Sequence, residues 1–126
     1  MKLYSSNCKI EREDQALELI ECEDLLNNCE IRWDDDADFI KTFFESHSTM
    51  LDDGGALYAV SIDDLMMLYD RCRGSLRNYD AARWLLPCDI EGDERIFFET
   101  VFYTYEKIHT IVNHSENRYF VFSIYD

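Results

Sequence analysis

The chain has 126 residues, of which 47% are apolar and 14% aromatic, and its formal net charge is −15. This length predicts a single domain spanning 1–126, and the apolar content excludes an acidic disordered chain because it is high enough to fill a core. The chain has no apolar run of about 18 residues and no signal-peptide pattern. We therefore expect a soluble protein of the cytoplasm that makes no membrane contact.

The first third of the chain mixes strand-like and helix-like patterns. Residues 2–4 and 29–33 are predicted strands, and in the second ("CEIRW") apolar and polar residues alternate. Residues 11–29 between them have the composition of a helix. The buried side expected for this helix consists of Ala16, Leu17, Ile20 and Leu25.

The middle of the chain predicts a helix, a turn, a strand and a second helix. The first helix follows the aspartates of "WDDDAD", and its apolar stripe recurs at helical period. Residues 52–55 ("DDGG") predict a turn and 56–60 a strand. Ser61 and Asp64 then form a capping-box pattern at the start of the second helix. The two buried stripes are Phe39, Ile40, Phe43, Phe44 and His47, and Leu65, Leu68, Cys72 and Leu76.

The last third predicts a short helix over 78–86 that ends at Pro87, a long helix over 93–112 and a strand over 118–125. The buried face of the long helix is predicted to contain Phe97, Val101, Tyr105, Ile108 and Val112. We also expect Tyr103 and Trp84 in the core. Together these elements predict an α+β fold, with an antiparallel or mixed sheet of about three to four short strands packed with about four helices.

The negative charge is concentrated near the N-terminus. Residues 11–38 contain twelve acids and two arginines, a net charge of −10 out of −15. Such a field repels DNA, RNA and anionic membranes and attracts basic proteins, although an acidic surface can also serve solubility alone. The carboxylates predicted to bind a partner are Glu18, Glu21, Glu23, Asp24, Asp34, Asp35, Asp36 and Asp38.

The "WDDDAD" stretch has three interpretations. Asp34, Asp36, Asp38 and Glu45 match the ligand spacing of a calcium loop, but Phe39 stands where that loop needs glycine, so no metal is expected. A helix cap uses one or two of the carboxylates of Asp34–Asp36. The remaining charge then belongs to the acidic surface, where we expect an exposed Trp33 to assist binding.

A small basic segment lies further along the chain, and it could bind an anion such as a nucleotide phosphate. Arg73 and Arg77 share a helix face because they are four residues apart. The alternative is that these arginines pair with carboxylates of the same chain. The candidate anion-binding residues are Arg71, Arg73, Arg77 and Arg83.

The sequence contains no pattern that requires enzymatic activity. Five cysteines at wide spacings argue against disulfides and zinc ribbons, and buried, reduced thiols are expected. A catalytic cysteine paired with one of the histidines at 47, 109 or 114 lacks a local signature. Phosphate-cradling glycine loops and nucleophile elbows are also missing, so we expect no cofactor and no catalytic residue.

Three segments of the chain carry a family resemblance: "ALYAVSIDDLMMLYDRCRGSLRNYDAARWLLP", "IFFETVFYTYEKI" and the terminal strand "YFVFSIYD". Through them, residues 30–125 resemble small proteins of tailed phages and prophages for which no activity is established. "IRWDDDADFIKTFFESH" also resembles the helix that precedes the strand in that group. The acidic N-terminal segment is particular to this chain. The resemblance implies a viral setting and the host cytoplasm, but no residue roles.

Two functional hypotheses follow. The first is a non-enzymatic phage protein whose carboxylates mimic nucleic-acid phosphates and occupy a basic surface of a host or anti-phage defence protein. The second is a module that binds a nucleotide or another small molecule, by sequestration or catalysis, through the arginines of 71–83 and nearby tyrosines. An open carboxylate surface favours the first hypothesis, whereas an arginine-lined pocket favours the second.

Overall fold

The computed structural model of the protein describes residues 1–86 and 94–125. Five strands form one sheet: β1 (Lys2–Ser6), β2 (Cys29–Arg32), β3 (Thr49–Met50), β4 (Leu57–Ser61) and β5 (Tyr119–Ser123). The helices of the described residues are α1 (Glu13–Glu21), α2 (Glu23–Leu26), α3 (Asp38–His47), α4 (Ile62–Arg77), α5 (Ala82–Leu85) and α6 (Glu94–His114), and a 3-10 turn (Tyr79–Ala81) precedes α5. None of these helices combines the length and the apolar character needed to cross a bilayer.

The sheet is antiparallel throughout, with strand order β2-β1-β5-β4-β3. The last strand of the chain, β5, lies in the middle, where Phe122 is paired with Leu3 of β1 and with Tyr58 of β4. Because β5 joins the N-terminal strands to β4, the sheet is complete only when the end of the chain is in place.

One face of the sheet carries the main core. Strand alternation places Leu3, Val60 and Phe122 on this face, where α3, α4 and α6 cover them. Leu68 of α4 and Ile108 of α6 are fully buried in the same cluster. This three-helix layer holds most of the apolar side chains that the fold removes from water.

The opposite face carries a smaller core under α1. Tyr4, Leu57 and Val121 point to this side, and Ala16 of α1 packs against them together with Ile10. α1 touches both β1 and β4, so nine residues of helix cover the centre of the sheet. The acidic segment, residues 11–38, thus begins in the thinner of the two layers.

The predicted α+β class is confirmed, but the predicted numbers of strands and helices were too low. The described residues form five strands rather than three to four and six helices rather than about four. β3 has only two residues, too few to show alternation. The predicted helix over 11–29 is two helices, because the chain changes direction at Cys22 and α2 ends at Asn27 in a left-handed conformation with φ +48°.

The predicted buried side of residues 11–29 is correct only in part. Ala16 is buried and Ile20 packs beside it, but Leu17 is exposed and Leu25 is 86% exposed. Because the helix is interrupted at Cys22, the helical period of α1 does not continue into α2. Leu25, which that period would place on the buried side, therefore points into solvent. His47 of the α3 stripe is exposed as well, because it occupies the last turn of that helix.

Both tryptophans occupy environments opposite to those predicted. Trp33 is 6% exposed, and its indole Nε1–H donates a hydrogen bond to Thr104 Oγ1 of α6 at 2.9 Å. Trp84, expected in the core, is 87% exposed on α5. Trp33 is therefore a core residue that joins the end of β2 to α6, and it is not an exposed partner contact.

The cysteines differ widely in environment. Cys72 of α4 is fully buried, and this burial raises the pKa of its thiol to about 12. Cys22 and Cys29 are half-buried, but Cys8 is exposed, so the expectation of buried thiols is wrong for that residue. All four are free, and Cys88 lies outside the described residues.

Candidate partner-binding surface

We define the acidic surface as the eight carboxylates predicted to bind a partner. Glu18 and Glu21 lie on α1, Glu23 and Asp24 on α2, Asp34–Asp36 between β2 and α3, and Asp38 at the start of α3. Seven of the eight side chains are exposed, and Glu23 is half-buried. The six carboxylates without an ion pair to any described residue are Glu18, Glu21, Asp24, Asp34, Asp36 and Asp38.

Glu23 acts inside the fold. Its carboxylate forms ion pairs with Arg32 of β2 and with Lys2 of β1, the latter at 3.6 Å. It also accepts a hydrogen bond from the Tyr4 hydroxyl at 3.4 Å. These contacts attach α2 to the end of β2, where the segment that contains Asp34 begins. Glu23 therefore holds neighbouring acids in position, and its own carboxylate is already paired.

Burial raises the pKa of Tyr4 to about 12, and the neighbouring Glu23 carboxylate adds to the effect. The Cys29 thiol beside it also has a raised pKa, again because of burial first, although Arg32 opposes that shift. Both groups therefore stay neutral at pH 7. Consequently, the negative charge at this corner of the sheet comes from carboxylates alone.

The aspartates of 34–36 do not cap α3, so the helix-cap interpretation is wrong. The N-cap residue is Ala37, and no side chain accepts a capping hydrogen bond there. Instead, the backbone carbonyls of Asp34 and Asp36 accept the N–H groups of Ala37 and Asp38 and close a tight turn. The side chains are left in solvent, which increases the charge that the acidic surface presents.

The N-terminus of the chain lies against this turn. The Met1 ammonium donates a hydrogen bond to the Trp33 carbonyl at 3.2 Å, and the Asp35 carboxylate lies 3.8 Å from it. Asp35 is nonetheless 81% exposed. Asp38 occupies the first turn of α3, where its negative charge interacts favourably with the helix dipole.

The described residues contain no group of three or more histidine, cysteine, aspartate or glutamate side chains placed to hold a metal ion. The calcium-loop spacing from Asp34 to Glu45 is interrupted by α3, which begins at Asp38. Phe39, at the position that requires glycine, is a buried helical residue. A helix cannot wrap its own carboxylates around a cation as the loop does.

The four arginines of 71–83 do not form one cluster. Arg71 lies over the Phe43 ring at 5.4 Å and its guanidinium is 3.3 Å from His47 Nε2, so it packs against α3. Arg73 leaves α4 on a different side, in line with Arg77, and both are exposed, as is Arg83 on α5. None of the four pairs with a described carboxylate, so the structure does not show the internal ion pairing that we considered.

An aromatic seam borders Arg73. Tyr69 of α4 stacks on Tyr105 of α6 with ring centroids 5.0 Å apart, and its hydroxyl is 3.3 Å from His109 Nδ1. The neighbouring Tyr105 hydroxyl raises the pKa of Tyr69, and Arg73 opposes that rise. Four depressions in the described surface, of about 270 to 570 Å³, include none of the four arginines in their lining.

Three of these depressions lie along the outer side of α6, a feature that the sequence prediction missed. They measure about 270, 400 and 570 Å³, and Glu99 lines all three. Ile96, Phe102 and Tyr103 each line at least one of the three and are exposed. The available signal was that residues 93–112 carry apolar side chains on nearly every side, which is more than one buried face requires.

Comparison with known proteins returned no match: no protein-family model fits the sequence, and no curated protein or solved structure resembles the chain significantly.

Proposed function

We propose that the protein is a non-enzymatic interaction protein of phage origin that binds a basic, nucleic-acid-binding surface of a host or anti-phage defence protein. The observation that carries this proposal is the set of six exposed carboxylates on the acidic surface that have no ion pair with a described residue. A carboxylate without an internal partner keeps its full charge available for a partner protein. Eight acids would not be needed to solubilise a domain whose net charge is already −7 elsewhere.

The backbone turn at 34–38 supports a role as a phosphate mimic. Three consecutive aspartates project into solvent there, next to Asp38, and none is used by the helix that follows. Closely spaced negative charges resemble a nucleic-acid strand, and they attract the arginines and lysines that neutralise phosphates. The same field increases the rate of encounter with a basic surface and makes that rate sensitive to salt.

The kind of partner is an expectation from the resemblance to tailed-phage proteins. A small phage protein that covers a nucleic-acid-binding surface would block a host enzyme or a defence nuclease without any chemistry of its own. This role requires no cofactor and no direct contact with nucleic acid or membrane.

The test uses three matched forms of the protein as immobilised bait for host lysate. The first is the wild type, and the second is the acidic-surface variant, Asp34, Asp35, Asp36 and Asp38→Asn. The control variant, Asp53, Asp63, Asp70 and Asp80→Asn, removes the same charge from exposed positions outside 11–38, and Asp63 matches Asp38 as a first-turn residue. We expect proteins that bind the wild type and the control, are lost from the acidic-surface variant, and are released by a DNA or RNA duplex.

If both variants retain equally less of the captured proteins than the wild type, net charge alone is responsible for the binding. Release by salt but not by nucleic acid would contradict the mimicry, because a mimic and the nucleic acid it imitates must compete for one surface.

A second candidate function is anion binding by Arg73 and Arg77. It is favoured by the absence of an ion pair to either guanidinium within the described residues and by the adjacent Tyr69–Tyr105 stack. Titration with inorganic phosphate and with ATP, followed by calorimetry, tests it. Saturable binding that disappears in Arg73→Gln would support this function, and the absence of heat with either ligand would reject it.

A further inference from the structure

We infer that the outer side of α6 is the apolar half of the partner-binding surface and that it docks an amphipathic, basic helix of the partner. This inference rests on the proposed function, because it assigns a location and a secondary structure to what the acidic surface attracts. We call this region the α6 groove and define it by Ile96, Glu99, Phe102, Tyr103 and Glu106.

The apolar content of the α6 groove is the first reason. Phe102 and Ile96 are each 50% exposed although they lie within the longest helix of the described residues. Ile96 and Tyr103 are seven residues apart, two helical turns along one side. Single exposed apolar residues are ordinary, but two in line with Phe102 beside them, next to concave surface, mark an interaction site.

The shape of the groove is the second reason. The depressions follow one another along α6 from Ile96 to Thr110, a distance of about 20 Å at 1.5 Å per residue. That length accommodates a partner helix of about four turns. Helices dock in this way by placing apolar side chains at i, i+3, i+4 and i+7 into successive depressions.

The charge around the apolar side chains selects a basic partner. Glu99 and Glu106 lie in the groove, and the depression of about 270 Å³ also contains Asp34 of the acidic surface. Three cations line these depressions, and each already contacts the chain itself: Arg95 pairs with Glu99 at 3.0 Å, Arg32 pairs with Glu23, and Lys107 lies over the Tyr103 ring. The groove is thus continuous with the acidic surface through Asp34.

The Tyr103 ring contacts a cation of the chain itself. Its hydroxyl donates a hydrogen bond to the Arg32 carbonyl at 2.8 Å, which fixes the ring against the end of β2. The Lys107 ammonium lies 5.7 Å from the centre of that ring. A partner arginine or lysine that displaces the Lys107 side chain would take the same position on the ring face, beside Glu99 and Glu106.

The experiment measures binding of two synthetic peptides by fluorescence anisotropy. Both contain eighteen residues of leucine and arginine in the same numbers. One has the leucines along one side of a helix, and the other has them scrambled around it. We expect the amphipathic peptide to bind the wild type at least ten-fold more tightly than the scrambled one.

Phe102→Ala and Glu99→Lys should each remove most of that preference, because they change exposed groove residues. Tyr125→Ala, at a 61% exposed aromatic outside the groove, should keep it. Circular dichroism of all variants verifies that the fold is retained, and Glu99→Lys tests the same groove without truncating an aromatic side chain.

The outcomes separate this inference from the proposed function. Equal binding of both peptides, with both weakened by the acidic-surface variant, would overturn the α6 groove and leave the acidic surface intact. A preference for the amphipathic peptide that persists in Phe102→Ala would also overturn it. Binding that is unaffected by the acidic-surface variant would instead count against the proposed function.

Discussion

The two faces of the sheet differ in what covers them. On one face, α3, α4 and α6 enclose the main core, which includes Leu68, Phe122 and Trp33. On the other face, the nine residues of α1 cover a small core around Tyr4 and Val121. Stabilising apolar burial is thus concentrated on one side of the sheet, and residues 13–26 of the acidic segment lie on the other.

This separation has a consequence for function. A dense field of like charges destabilises the segment that carries it, through self-repulsion. Here the repulsion acts on a thin layer, while most of the apolar burial that holds the fold together lies across the sheet. Charge on α1 and α2 can therefore be altered with little change in global stability, and the following predictions test this division.

The largest effect is expected for Leu68→Ala in the main core. Leu68 is fully buried between the sheet and α6, so truncation leaves a cavity and should reduce the free energy of unfolding by about 2–5 kcal/mol. Urea denaturation followed by circular dichroism measures it. A loss within about 0.5 kcal/mol, the range typical of surface positions, would show that the three-helix side is not where stability resides.

Alkaline pH should act on the thin side through Tyr4. Its pKa is about 12 in the folded protein, against 10.0 for a tyrosine side chain free in water, so folding favours the protonated phenol. That contribution is fully present below pH 10 and is lost as the pH rises towards 12. The free energy of unfolding of the wild type should therefore fall between pH 10 and 12 more steeply than that of Tyr4→Phe.

Tyr125→Phe is the control for this measurement, because Tyr125 is exposed. Identical pH profiles for the wild type and Tyr4→Phe would mean that the hydroxyl of Tyr4 titrates as if it were in water, and the small core would then be open to solvent.

A smaller effect is expected for Ile20→Ala in α1. Ile20 is half-buried against the small core, so its truncation should reduce the free energy of unfolding by about 1–2 kcal/mol, less than Leu68→Ala. The same denaturation assay gives both values on one scale. Equal losses at the two positions would remove the distinction between the thick and the thin side.

The smallest effect on stability is expected for the acidic-surface variant. Asp34–Asp36 make no capping hydrogen bonds, and the single ion pair of Asp35 is exposed and weak. Loss of the favourable helix-dipole contact of Asp38 is offset by relief of repulsion. The free energy of unfolding should change by less than about 1 kcal/mol. A larger loss of unfolding free energy would mean that these aspartates stabilise the fold.

Local patterns predicted local structure well. The capping box is present as predicted, with Ser61 Oγ accepting from the Asp64 N–H at 3.1 Å, because all of its atoms lie within one helical turn. The buried stripe of α3 is confirmed except at His47, because four of its members recur at helical period, and the strand β5 is confirmed from its run of aromatic and β-branched residues.

The features that depend on distant residues could not be predicted. Trp33 is buried because its indole reaches Thr104, 71 residues away in the sequence. The carboxylates of 34–36 are left out of helix capping by a backbone turn, which competes with side-chain capping in a way that composition does not reveal. The α6 groove was hidden because a helix with apolar residues on several sides does not indicate which side the fold leaves uncovered.

The most direct test of the account measures the affinity of one captured partner for the three forms of the protein at low salt. The acidic-surface variant should bind about ten- to a hundred-fold more weakly than the wild type, since exposed charge pairs contribute about 0.2–1 kcal/mol each. The control variant should stay within about three-fold, and rising salt should reduce the difference. Equal affinities for all three forms, each with native circular dichroism, would contradict the account and leave the aspartates with no role in recognition.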